Sequence, residues 1–316
     1  MTREVGLVLT RPPSGVDWDF GGYCYGVEPL TLPAPDAPDR AETAEPPDFR
    51  DACGRIRTIG ATGVPPGRIE PCPDEEELYW FRWITGHQVS FVVWRLMSQL
   101  MDDVAEGRAE AATAVRPMCG YVRTYCAMLL YTGSCPCGVY QDVIRPSMRL
   151  RHKSFSGSWA PDYWSVRNLL RARTSPFSGF PELDREIGLH QLVHDHVAAS
   201  LVPDGKSLLR QSSVRRQDMR LLQLFYDNYF LTIRASVSHA GVVAQLIRRL
   251  VAIAQDIAVN SLHPGKVEAR EGADEVKACE NGMTETLALA AYHATGLTPE
   301  PGTGASGTRP VSLSRS

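Results

Sequence analysis

The pattern between Trp80 and Leu100 does most to limit what this chain can fold into. Apolar residues fall at positions 80, 83, 84, 91, 94, 97 and 100, close to helical spacing, which makes a long helix with an apolar stripe. A stripe of that length must be covered by other helices, and the sequence supplies them. Helical patterns run at about 73–107, 109–132, 161–173, 183–201, 214–233 and 236–262. Asp74 is placed to cap the first, with Glu75, Glu76 and Glu77 favourably set at its N-terminus. Gly107, Gly133 and Gly157 punctuate the run, and Pro161, Pro181 and Pro203 separate the later pieces. The expected body is all-α, spanning residues 73–297.

The flanks read differently. Residues 1–72 are rich in Gly and Pro, with Val5–Leu9 and Arg55–Ile59 as short strand-like pieces. Ala34–Pro47 is acidic and Pro-rich, and is expected to be a mobile loop. The tail, 298–316, holds almost no apolar residues and is expected to be disordered. A net charge of -3, with no basic run, argues against a nucleic-acid partner. The sequence has no stretch long and apolar enough to span a membrane and no secretory leader, so a cytoplasmic location is expected. Its 8 cysteines show no framework spacing, and Cys135-Pro136-Cys137 is too close-set for a zinc knuckle. Reduced thiols are the simple reading, with Cys119 and Cys126 in the core.

The residues that can carry chemistry are mostly histidines. His87 lies on the apolar stripe of the long helix, where an imidazole needs a hydrogen-bond partner or a function. His190 and His194 are four apart and share a helix face, a geometry suited to a metal, but no third ligand stands at an obvious spacing. His239 lies among small residues, Ala235, Ser236, Ser238, Ala240 and Gly241, within the helix expected at 236–262; small residues would let a flat macrocycle approach.

His87-Gln88, followed by Val93-Trp94 and a Leu-rich continuation, resembles the distal-histidine helix of the histidine-ligated haem aromatic oxygenases, the tryptophan 2,3-dioxygenase superfamily. Arg234 and Val243 flank His239 as residues flank the ligand histidine in that group. Phe155–Leu170 is similar to its substrate-arginine segment, and Tyr140–Arg145 to the lead-in. Within the superfamily the chain most resembles the haem-dependent L-tyrosine 3-hydroxylases, over roughly residues 75–262. The resemblance implies a helical haem-binding domain, a b-type haem held by His239, and hydrogen peroxide, or dioxygen with a reductant, as oxidant. It implies hydroxylation of L-tyrosine to L-DOPA in natural-product biosynthesis. His87, on the distal side, would hydrogen-bond the phenol and shuttle protons, Arg167 would hold the carboxylate, and Trp159, Tyr163 and Trp164 would line the ring slot.

Two other ligand assignments stay open. A 3-methyltyrosine hydroxylase of the group has paired histidines with a cysteine four after the second. Here His196 and His239 stand 43 apart with Val243 at the cysteine's place, which makes His196 an alternative ligand and implies no thioether link. Gly302–Gly307 is similar to a dioxygenase loop that would point to His293 instead. A tryptophan- or indole-cleaving dioxygenase is the alternative within the superfamily, and a non-catalytic helical binding protein the alternative outside it. A homodimer is implied at family level.

Overall fold

A computed structural model describes residues 25–43, 45–65, 70–173, 175–202, 205, 218–263 and 272–298. Its helices are α1 (Arg50–Thr62), α2 (Glu75–Ala105), α3 (Ala111–Gly133), α4 (Cys137–Val139), α5 (Arg145–Arg151), α6 (Tyr163–Leu170), α7 (Pro181–Leu201), α8 (Met219–Tyr229), α9 (His239–Asn260), α10 (Ala273–Asn281) and α11 (Met283–Thr295). The fold is all-α, with one two-stranded parallel sheet and an isolated parallel bridge between Arg40 and Ser238 among the described residues. In the sheet β1 (Leu30–Leu32) pairs with β2 (Thr232–Arg234), Leu30 opposite Thr232.

The long helix forms as its sequence requires. Asp74 caps α2, its Oδ1 accepting from the backbone N–H of Glu76 at 2.8 Å and of Glu77 at 3.2 Å. Buried residues then run almost without a break from Leu78 to Met97, so α2 is enclosed on most of its circumference. It packs against α3, α6 and α9; α3 in turn carries α7, while α1 and α11 close the far side. The α2–α3 contact depends on Gly86, where an added Cβ would lie 2.4 Å from Thr132 Cγ2. Where α9 meets α2 and α3, Arg82, Asp256 and Tyr131 form a buried polar knot. The Arg82 guanidinium donates to Asp256 at 2.7 and 3.2 Å, and the Tyr131 hydroxyl donates to the same carboxylate at 2.8 Å. A charge so deeply placed is tolerable only when paired this fully.

Four expectations need correction. Arg55–Ile59 is not a strand but part of α1, whose buried residues Ala52, Cys53, Ile56 and Ile59 follow helical spacing. Residues 1–72 are therefore not wholly irregular, although Val5–Leu9 lies outside the described residues. The helix expected at 214–233 ends at Tyr229. Leu231 adopts a left-handed φ of 52°, and the β-branched Thr232 and Ile233 continue as strand. The helix expected at 236–262 begins at His239, capped by Ser238, whose Oγ accepts from Gly241 N–H at 3.2 Å. His239 is thus at a helix start rather than mid-helix. Finally, the described part of Ala34–Pro47 is anchored: Asp39 accepts from Arg95 at 2.6 Å and from Gln99 at 2.7 Å. The tail beyond 298, Gly302–Gly307 included, lies outside the described residues. Among the described residues no helix is long and apolar enough to cross a membrane.

Candidate functional site

Two regions on α2 hold the residues picked out by sequence. The first is an aromatic nest near the middle of the helix. His87 donates Nδ1–H to the Trp83 carbonyl at 2.6 Å, which leaves Nε2 as the lone-pair nitrogen. Among the described residues nothing bonds Nε2. Phe230 stacks on the imidazole, ring centroids 4.4 Å apart and planes 20° from parallel, and Trp83 lies 4.3 Å away on a tilt. A π-helical turn at Tyr140–Ile144, one extra residue in the helical ladder, presents Tyr140 to Trp83 at 5.8 Å. Burial drives the His87 imidazole down to about 4, partly offset by the Trp83 carbonyl. The ring is therefore neutral across the physiological range. It suits hydrogen-bond acceptance, and the neutral-pH proton shuttling expected of an unperturbed histidine does not fit it.

The second region is a cleft of about 1060 Å³ at the other end of α2, lined by Arg95, Ser98 and Gln99 together with Asp39, Trp164, Arg220, Arg234 and His239. His239 opens onto it with 52% of its side chain exposed, donating Nδ1–H to Asp39 Oδ2 at 3.2 Å. Burial alone would raise the Asp39 carboxyl, but the hydrogen bonds from His239, Arg95 and Gln99 outweigh it and hold the group at about 2. An imidazole whose Nδ1–H is fixed by a carboxylate keeps Nε2 free and oriented, the arrangement that metal-ligating histidines use. Arg234 is saturated by other groups: its guanidinium donates to Asp162 at 2.7 and 3.0 Å and to Asp227 at 2.8 and 2.9 Å. It braces the cleft wall.

The remaining sequence candidates are dispersed. Trp164 lines the cleft, and Arg167 lies over its ring at 5.2 Å, so those two stand together at the edge. Tyr163 points back to Trp94 on α2, at 5.2 Å. Trp159 packs on His152 and Phe155, the latter in contact with Phe230. His87 does not reach the cleft. It lies eight residues before Arg95, about 12 Å along the helix axis. His196 is half-buried on α7, away from both regions, and His293 packs its ring against Gly120. His190 and His194 have ring centroids 6.2 Å apart, with His190 buried and stacked on Tyr125. No group of three or more potential metal ligands occurs among the described residues.

Sequence reasoning missed Asp39, Gln99 and Phe230. A signal for the first was present: Arg95 interrupts an apolar helix, and a guanidinium there calls for a carboxylate. Nothing singled out Asp39 among the acids of a Pro-rich segment.

A family model described as SfmD 3-methyl-L-tyrosine peroxygenase matches residues 32–190. That span takes in Asp39, the whole of α2 and Tyr163–Arg167, and stops short of His194, His196 and His239. No curated protein matches the chain.

Proposed function

The chain belongs to the 3-methyl-L-tyrosine peroxygenase family, and from that premise we propose that it hydroxylates the ring of L-tyrosine or a close analogue with hydrogen peroxide. One peroxide oxygen enters the ring ortho to the phenol, giving L-DOPA from tyrosine, and the other leaves as water. The product serves natural-product biosynthesis.

A b-type haem would be held at the cleft by His239. The carrying observation is the His239–Asp39 pair, an imidazole with its Nδ1–H tied to an anionic carboxylate and its side chain lining the cleft, half exposed. A bound haem would supply the oxidising power drawn from peroxide. Asp39 orients His239 and keeps its ring electron-rich, and Arg95 and Gln99 hold Asp39 in turn.

His87 would accept the phenol hydrogen bond through Nε2, a role that its neutral state allows. The α6 helix, which carries Tyr163, Trp164 and Arg167, meets α2 at Trp94, seven residues or about 10 Å along the axis from His87. Arg167, beside Trp164 at the cleft edge, would hold the substrate carboxylate, because the fork geometry of a guanidinium matches it.

The test is haem retention. Protein expressed with haem supplementation should show a Soret band, and His239→Ala should lose it while His196→Ala keeps it. The opposite pattern would move the ligand to His196, and no Soret band in the unaltered protein would sink the haem reading.

A further inference from the structure

His87 is followed by a residue that the proposed reaction leaves unused, yet Gln88 is among the most completely bonded side chains in the protein. It is buried, and its Nε2 donates both hydrogens to backbone carbonyls, one to Glu28 and one to Phe230, each at 2.9 Å. Its Oε1 accepts from Arg249 Nε at 2.9 Å. Arg249 is itself fully buried and donates onward to the Gln245, Glu28 and Pro29 carbonyls at 2.9, 3.1 and 3.2 Å. The Glu28 carboxylate is occupied by Arg248. Every polar atom of Gln88 thus has a rigid partner.

One of those partners belongs to the residue that stacks on His87. The Phe230 carbonyl is fixed by Gln88, and the Phe230 ring covers the imidazole of the residue immediately before Gln88. The backbone at this point is strained. Leu231 holds φ 52° without being glycine, a conformation that persists only where the surroundings impose it. The surroundings impose it from two sides: Gln88 grips the Phe230 carbonyl, and Leu30 N–H of β1 donates to the Leu231 carbonyl at 3.0 Å.

We propose that Gln88 is a positioning residue for His87: it holds the strained Phe230–Leu231 turn so that the Phe230 ring fixes the imidazole plane and screens one face from water. This assignment rests on the reading of His87 as the group that meets the substrate phenol. The groups facing His87 are the Trp83 indole and carbonyl, the Phe91 and Phe230 rings and, beyond Trp83, the Tyr140 phenol; the charged Arg249 and Glu28 stand behind Gln88. The imidazole therefore titrates mainly according to how well the aromatic cover excludes water.

The experiment reads His87 directly by nitrogen-15 histidine NMR on the protein without substrate, its resonance identified by loss in His87→Gln. In the unaltered protein the ring should titrate at about 4. Gln88→Met removes the grip on Phe230 and should move the midpoint toward the ordinary histidine value of 6.5. Gln88→Glu keeps the shape and the Arg249 contact but lacks the two amide donors, and should shift the midpoint in the same direction. Phe230→Ala should shift it too, and the Gln88→Met/Phe230→Ala double variant should add nothing further, since both act through one ring. If both Gln88 variants leave the midpoint in place while Phe230→Ala moves it, the positioning role is wrong. Should Gln88→Met fail to fold, Gln88→Glu against Phe230→Ala carries the test. In the haem-loaded protein, Gln88→Glu should lower kcat for hydroxylation with little change in KM. Unimpaired hydroxylation by His87→Gln would instead overturn the role of His87 in the reaction, and leave the Gln88–His87 coupling to be judged by NMR alone.

Discussion

Replacing Asp39 by Asn probes both the architecture of the cleft and its chemistry. Asp39 comes from the Pro-rich segment before α1 and is held by Arg95, Gln99 and His239, at 2.6, 2.7 and 3.2 Å. A carboxyl at about 2 in the folded state, against 3.8 for the free group, corresponds to roughly 2 kcal/mol of stability at neutral pH. Because the folded value is the lower one, this contribution is complete above 3.8 and is lost as pH falls through about 2. Asn cannot match it, and Arg95, with 4% of its side chain exposed, would lose its counter-charge. The carbonyls of Ala34 and Ala37, at 3.3 and 2.8 Å, still hold that guanidinium, so the total loss at neutral pH should stay near 2 to 3 kcal/mol, within the cost expected for losing a charged hydrogen-bonded acceptor. Urea denaturation of the two proteins between neutrality and acid reads it. The gap should narrow as pH drops below 4, and haem affinity at neutral pH should fall about tenfold or more as His239 loses its orienting carboxylate. A stability gap that ignores pH, or haem binding that ignores the substitution, would refute the reasoning.

Two further outcomes follow from the same geometry. Gly86→Ala should cost about 1 to 3 kcal/mol in urea denaturation with an unchanged m-value, because its Cβ would press on Thr132 Cγ2 and Tyr131 Cδ1 at 2.4 and 3.1 Å; pairing it with Thr132→Ser should recover part of the loss. His87, neutral in the fold down to about 4 but protonated near 6.5 when unfolded, should make stability fall by up to roughly 3 kcal/mol as pH drops from 6.5 to 4, and His87→Phe should flatten that part of the profile.

The helical body was legible because its signals are local. Asp74 caps α2 as its position suggested, and the apolar spacing of α2, α3 and α7 survives in the structure to within a few residues. What escaped depended on distant partners. Ile56, Thr58 and Ile59 have strand propensity, but burial of the isoleucines against α9 and α11 makes the segment helix. The end of α8 was invisible because a left-handed Leu231 has no sequence signature, unlike a glycine in the same conformation. The site was only partly legible for the same reason. His87 and His239 were found as residues, but the roles of Asp39, Gln88 and Phe230 come from hydrogen bonds and stacking across 60 to 200 positions, which no spacing in the chain encodes.

The most direct test of the proposed activity follows the oxygen atom. Haem-loaded protein is mixed without dioxygen with L-tyrosine and isotopically labelled hydrogen peroxide, and the product is analysed by mass spectrometry. The account predicts a catechol amino acid carrying one labelled oxygen, with formation lost in His239→Ala. A hydroxylated product without the label, formation only when dioxygen is admitted, or no product from tyrosine or its ring-substituted analogues would contradict it.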